Sequence, residues 1–142
     1  MTTLKMLLKG KGHDVWSVRP DDTVLDAIKF LAEKDIGALI VVEDDKPVGI
    51  FSERDYTRNV YLKGKSSLDT AVREIMASPV ISVKLEQTVA ECMALMTAKR
   101  FRHLPVMDGD ELVGLVSIGD LVKSVIAEQQ FTIEQMEQYI HS

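Results

Sequence analysis

Hydrophobic and polar positions along the chain fall into one order that is written twice. Val15 to Val18, closed by Arg19-Pro20, predicts a short strand. Thr23-Val24-Leu25-Asp26 opens a helix, because a Thr followed three residues later by a carboxylate is a capping box in which each side chain satisfies a backbone donor. Val24, Ala27, Ile28, Leu31 and Ala32 then share one face at the helical period, up to Asp35-Ile36-Gly37. Ala38-Leu39-Ile40-Val41-Val42 is continuously apolar and rich in β-branched residues, the pattern of a strand covered on both faces. After the polar turn Glu43 to Lys46, Pro47 to Phe51 predicts the strand that pairs back as a hairpin, and Ser52 to Leu62 a second helix, begun by Ser-x-x-Asp.

Sixty-five residues further on, the same order returns without a gap. Val15-Trp16-Ser17-Val18 falls on Val80-Ile81-Ser82-Val83, Thr23-Val24 on Thr88-Val89, Leu39 on Leu104, and Val48-Gly49 on Val113-Gly114. The clearest echo is Gly49-Ile50-Phe51-Ser52-Glu53-Arg54-Asp55 against Gly114-Leu115-Val116-Ser117-Ile118-Gly119-Asp120. A repeated supersecondary unit in a chain of 142 residues implies two half-domains sharing one fold. The expected division is a leading helix over 1–12, a first unit over 13–62, a linker with a short helix over 63–77, a second unit over 78–127 and a helical tail over 128–142. Leu4, Leu7 and Leu8 give the leading helix an apolar side, for the core or for a partner, and Gly10-Lys11-Gly12 stops it. Ile133, Met136 and Ile140 share a face of the tail, which is expected to dock on its own body or on a second chain.

Composition narrows the function classes. A net charge of −5 argues against nucleic acid or an anionic membrane as the main partner. The single cysteine, Cys92, rules out an internal disulfide and is read as a packing residue. Met6-Leu7-Leu8 is too short for the apolar region of a signal peptide and no run approaches transmembrane length, so a cytoplasmic location is expected. Ser, His and Asp all occur, but without a nucleophile elbow or triad spacing, and His13, His103 and His141 are scattered without metal-ligand spacing. Neither a Walker loop nor a dinucleotide fingerprint is present. Catalysis is therefore not expected, and neither is a required metal.

The repeated Gly-h-h-Ser-x-x-Asp admits two readings. In one, Ser52 and Ser117 are helix N-caps whose boxes Asp55 and Asp120 complete. In the other, the late strand glycines let something approach the backbone closely. The helix starts then offer free N–H groups to a phosphate, and the aspartates accept hydrogen bonds from the vicinal hydroxyls of a ribose.

The unit resembles a cystathionine β-synthase (CBS) domain, and the tandem pair resembles a Bateman module. The likeness rests on the paired motif, the gapless repeat and Arg102-His103-Leu104-Pro105-Val106, and covers residues from about 10 to 127. More narrowly, Ser52-Glu53-Arg54-Asp55-Tyr56 and Val116-Ser117-Ile118-Gly119-Asp120 are similar to stand-alone CBS-pair proteins of bacteria and plant organelles. The resemblance implies an α/β fold of the α+β type: two β-α-β-β-α repeats related by a pseudo-twofold axis, with helical segments at both ends. It also implies an adenosine nucleotide in the cleft between the repeats, with AMP foremost and ADP, ATP, NAD or S-adenosylmethionine as alternatives. Asp55 and Asp120 would hold ribose hydroxyls, and Ser52 and Ser117 ribose or phosphate. Val15, Val80 and Ile81, with Ala38 and His103 to Pro105, would read the adenine, and Arg54 and Arg102 would neutralise phosphate. The Asp120 site, with Arg102 and His103 beside it and Arg54 reaching across the axis, is expected to be the better pocket. A homodimer is implied as well, for which the faces around Ala27/Leu31 and Met93/Met96 are candidates, alongside an unidentified regulated protein. The competing reading is a structural interaction module whose clefts stay empty.

Overall fold

Each half of the sequence folds into a three-stranded sheet backed by helices. In the computed structural model, which describes residues 1–141, the elements run in chain order as α1 (Leu4–Lys11), β1 (Ser17–Val18), α2 (Val24–Lys34), β2 (Ala38–Glu43), β3 (Lys46–Ser52) and α3 (Glu53–Tyr56). A π-helical turn, Thr57–Tyr61, extends α3, and a 3-10 turn, Val72–Glu74, lies in the linker. The second half adds β4 (Val83–Lys84), α4 (Val89–Lys99), β5 (His103–Asp108), β6 (Glu111–Ser117) and α5 (Ile118–His141). The sheets have the orders β1-β2-β3 and β4-β5-β6, each with a parallel first pair and an antiparallel hairpin. The expected α+β repeats are present. The first strand of each is shorter than its apolar run, with only Ser17–Val18 pairing where four residues are expected.

Strand alternation assigns each residue to one of three cores. Leu39, Val41 and Phe51 face α2 within the first half, with Val24, Ala27 and Leu31. Leu104, Val106 and Val116 do the same in the second half, with Cys92 and Met96. The opposite strand faces meet between the sheets: Ala38, Ile40 and Ile50 pack with Val15, Val80, Leu112 and Leu115. This is why the run Ala38 to Val41 is buried at every position. Burial pushes the Cys92 thiol up to about 11, with Glu91 adding to the shift, in keeping with a packing role. Ala27, Leu31 and Met96 belong to these single-chain cores and Met93 packs against one of them, so the faces considered for a dimer are already used.

The two lead-in segments cross. The leading segment does not pack on the half that follows it but on the other. Leu4 N–H donates to Gln87 O at 2.9 Å, Lys5 N–H to Leu85 O at 3.0 Å and Val89 N–H to Thr2 O at 2.9 Å, and Leu4 and Leu8 are fully buried in the second core. The linker does the same for the first half. Val72 N–H donates to Asp22 O at 2.9 Å, Arg73 N–H to Pro20 O at 3.0 Å and Val24 N–H to Thr70 O at 2.9 Å, and Val72 and Ile75 enter the first core. The match is bond for bond, with Thr3 bridging Thr88 as Ala71 bridges Thr23.

Two local expectations need correction. At Thr23 only the hydroxyl half of the capping box forms, as Thr23 Oγ1 accepts from Asp26 N–H at 3.1 Å. The next donors, Val24 N–H and Leu25 N–H, go to the linker carbonyls of Thr70 and Ser67 instead. The tail is not a separate element, because α5 runs unbroken from Ile118 to His141. Its Glu128 Oε2 accepts from Thr2 Oγ1 at 3.3 Å, and from Ile126 onward its residues are exposed, including Phe131, Ile133, Met136 and Ile140. Ser142, the last residue of the expected tail, lies outside the described residues.

Candidate functional site

Two clefts flank the seam between the halves, each built from the end of one hairpin and the residues facing it across the pseudo-twofold axis. In both, the second strand of the hairpin, β3 or β6, runs directly into a helix, and the Ser and Asp of the motif sit at the junction. Ser52 N–H donates to Asp55 Oδ2 at 2.9 Å, Ser52 Oγ donates to the same oxygen at 2.9 Å, and Asp55 N–H donates to Ser52 Oγ at 3.2 Å. Ser117 N–H donates to Asp120 Oδ2 at 2.8 Å and Asp120 N–H to Ser117 Oγ at 3.1 Å. Both pairs are therefore real caps. In each aspartate the capping bonds use Oδ2, and among the described residues Oδ1 has no protein partner. Capping and ligand contact are thus compatible in one side chain.

The Asp55 cleft has a volume of about 650 Å³. One wall is Ser52, Arg54, Asp55 and Arg58; the facing wall is Arg100, Phe101, Arg102 and His103 from the second half, with Val80 and Ile81 along the floor. Four arginines thus line one space, together with the acidic residues Glu53 and Asp55. Among the described residues the ion pairs are Lys11–Asp120 and Arg73–Asp21, so none of the four arginines is paired.

The Asp120 cleft, about 390 Å³, is lined by Ser117 and Asp120 with Ala38, His103, Trp16 and Lys11. Lys11 changes its chemistry. Its ammonium donates to Asp120 Oδ2 at 2.5 Å and to Leu115 O at 2.6 Å. Burial pushes the Asp120 carboxyl up, but the bonds from Lys11 and Ser117 outweigh it and hold the group below its ordinary value. Trp16 stacks edge-on to Phe30 at 6.0 Å and carries the Lys34 ammonium over its face at 4.2 Å. His103 borders both clefts. Its pKa lies below the ordinary value, first because it is buried and then because of the Lys11 charge, with Arg102 adding and Asp120 and Asp55 opposing. A neutral imidazole at pH 7 offers one donor and one acceptor.

Of the residues singled out in the sequence, Ser52, Arg54, Asp55, Val80, Ile81, Arg102 and His103 come together at the Asp55 cleft. Ala38, His103, Ser117 and Asp120 come together at the other. Val15 and Pro105 border neither: Val15 packs between the sheets and Pro105 is buried on β5, opposite Leu115. The grouping differs from the expected one, since Arg102 and Arg54 lie with Asp55 and not with Asp120. Arg100 and Arg102, on the approach to β5, line the cleft that holds the motif of the other half. Sequence reading missed Lys11, Arg58 and Arg100. Arg58 carried a signal, one helical turn beyond Arg54; Lys11 carried none, being 109 residues from its partner.

The close approach expected at the strand glycines is real, but the chain itself makes it. A Cβ on Gly49 would meet Met76 Sδ at 2.5 Å and Ala77 O at 3.1 Å, and one on Gly114 would meet Leu8 Cδ1 at 2.9 Å. The glycines admit the crossed lead-ins, not a ligand.

Residues 12–61 and 72–127 each match the CBS domain. The chain is 38% identical to the CBS domain-containing protein CBSX3, mitochondrial, of Arabidopsis thaliana, over 98% of this chain and 72% of that protein. Among solved structures it is similar to a CBS-domain protein from Burkholderia ambifaria MC40-6, with 56% identity, a TM-score of 0.84 and coverage of 93% of this chain and 99% of that one. At the level of fold alone it is similar to the CBS domain pair of protein MJ0100, which was solved in complex with 5′-methylthioadenosine and S-adenosyl-L-methionine. That pair is 22% identical, with a TM-score of 0.78 and coverage of 90% of this chain and 98% of the other.

Proposed function

Since this chain belongs to the CBS-domain family and carries two copies of the domain, we propose that it is a non-catalytic regulatory module that binds an adenosine nucleotide in the Asp55 cleft. The observation that carries this is the convergence of a carboxylate with an unused oxygen and a set of unpaired guanidiniums on one cleft of nucleotide size. Asp55 Oδ1 would take the ribose diol, the arginines the phosphate, and Val80, Ile81 and the neutral His103 the base. That a pair of the same fold holds adenosyl ligands supports the class of ligand. AMP, ADP, ATP and NAD all belong to it. Occupancy is read out by a partner protein, since the cleft walls come from both halves and a ligand bridging them changes how they are held together. The assembly we propose is a twofold homodimer through the exposed apolar residues of α5, which light scattering of the purified protein tests directly.

The discriminating experiment is calorimetric titration of nucleotide-free protein with AMP, ADP, ATP, NAD and GMP, for wild type and Asp55→Ala. Selective binding of adenosine compounds, lost in the variant, is expected. Both Ser–Asp pairs are accounted for as helix caps by bonds within their own turns, which is what favours the alternative of an interaction module with empty clefts. Silence across the panel would establish that alternative.

A further inference from the structure

We propose that the Asp55 cleft is built for a nucleotide with two or more phosphoryl groups, and that Arg58 and Arg100 form the subsite for the phosphates beyond the first. This rests on the adenosine-nucleotide reading and narrows it. Arg54 and Arg58 stand one turn apart on α3 and its π-helical extension, on the first half's wall of the cleft. Arg100 occupies the left-handed cap of α4, with φ 59°, and Arg102 follows two residues later, both on the facing wall. Four like charges brought to one cleft repel each other, and the acidic surplus of a chain with net charge −5 does not pair with any of them.

The donor count sets the ligand. Each guanidinium fork spans two phosphate oxygens, so two forks already reach all three free oxygens of a single terminal phosphate. Four forks match a diphosphate or longer, whether terminal as in ADP or bridging as in NAD. The positions related to these by the repeat show that the cluster is not a requirement of the fold. Sixty-five residues from Arg54, Arg58, Arg100 and Arg102 stand Gly119, Lys123, Asp35 and Gly37. The cleft that holds the arginines is also the larger one, at about 650 Å³ against about 390 Å³.

The test is calorimetric titration of nucleotide-free protein with AMP, ADP, ATP and NAD, without divalent cations, for wild type, Arg58→Ala, Arg100→Ala and the exposed linker variant Lys63→Ala. At least one diphosphate-bearing nucleotide is expected to bind about tenfold or more tighter than AMP. That ratio should fall toward one in Arg58→Ala and Arg100→Ala and hold in Lys63→Ala, with circular dichroism confirming each fold. Equal affinity for AMP and every longer ligand overturns the proposal, as does a ratio that neither arginine variant changes. Inorganic tripolyphosphate separates the two layers of the argument. If it binds and Arg58→Ala abolishes this while no adenosine compound binds, the phosphate subsite stands and the adenosine reading falls. Silence to every probe ends both.

Discussion

The clefts at Asp55 and Asp120 descend from the same motif and keep the same cap geometry, yet they present opposite electrostatic situations. Among the described residues, the Asp55 carboxylate is bonded only within its own turn, and four unpaired arginines line the space beside it. At Asp120 the one lysine or arginine among the described residues that line the cleft, Lys11, is bonded to the carboxylate itself. One cleft therefore waits for an anion, while the other has its charge already answered from within. A repeat fixes where a site lies; side chains outside the motif decide what the site does.

The largest test of that contrast is to exchange its terms. Asp55→Ala should weaken nucleotide binding on the order of 100-fold, since hydrogen bonds to a charged group contribute about 1.5–3 kcal/mol, whereas Asp120→Ala should change it by only about twofold; titration calorimetry reads both. Conversely, Asp35→Arg, Gly37→Arg, Lys123→Arg and Gly119→Arg, combined with Lys11→Met, should raise the stoichiometry from one nucleotide to two per chain. Gly37 has open space where a Cβ would go and Gly119 meets nothing closer than 3.6 Å, so these changes are sterically mild.

Next in size are the glycines. Gly114→Ala drives a methyl into Leu8 and should destabilise by about 1–3 kcal/mol as an overpacked contact. Gly49→Ala should cost more, because one of its clashes is with a backbone oxygen that cannot swing away. Urea denaturation of the two variants ranks them, and an inverted order would contradict the distinction between a backbone and a side-chain contact at the two glycines.

The smallest effect is electrostatic. Lys11→Met should raise the pKa of Asp120 and of His103 together, because Lys11 lowers both. Asp120, lower in the folded state than in the unfolded one, contributes stability above the ordinary carboxylate range that is lost as pH falls through its folded value. The Lys11→Met penalty should therefore be present at pH 7 and fade in strong acid. His103, also lowered in the folded chain, makes stability fall as pH drops below about 6.5. Titration followed by nuclear magnetic resonance resolves both groups.

Much of this was readable in the residues. Helices and strands follow from period and capping chemistry, and the gapless offset exposes the pairing of the halves, because both signals are local or repeat faithfully. The lead-in exchange was hidden because it breaks the offset: Thr3 answers Ala71, not a residue sixty-five positions away. Lys11 looked like part of a helix stop between two glycines, and nothing near it in sequence announces Asp120. The arginines were visible singly, but which half they serve depends on the axis, which no one-dimensional pattern carries. The strand glycines are legible as points of close approach, but not that the chain's own lead-in segments make the approach.

The crossed lead-ins also bear on how such a chain came to exist. Each half completes its core with a segment that enters from the other, so a polypeptide holding a single repeat would leave a gap where Leu4 and Leu8, or Val72 and Ile75, now sit. Two identical one-repeat polypeptides could fill each other's gaps by trading those arms, which is a symmetric domain swap. Gene duplication and fusion of such a swapped pair would yield this topology directly, with the trade already in place before the two copies ever shared a backbone.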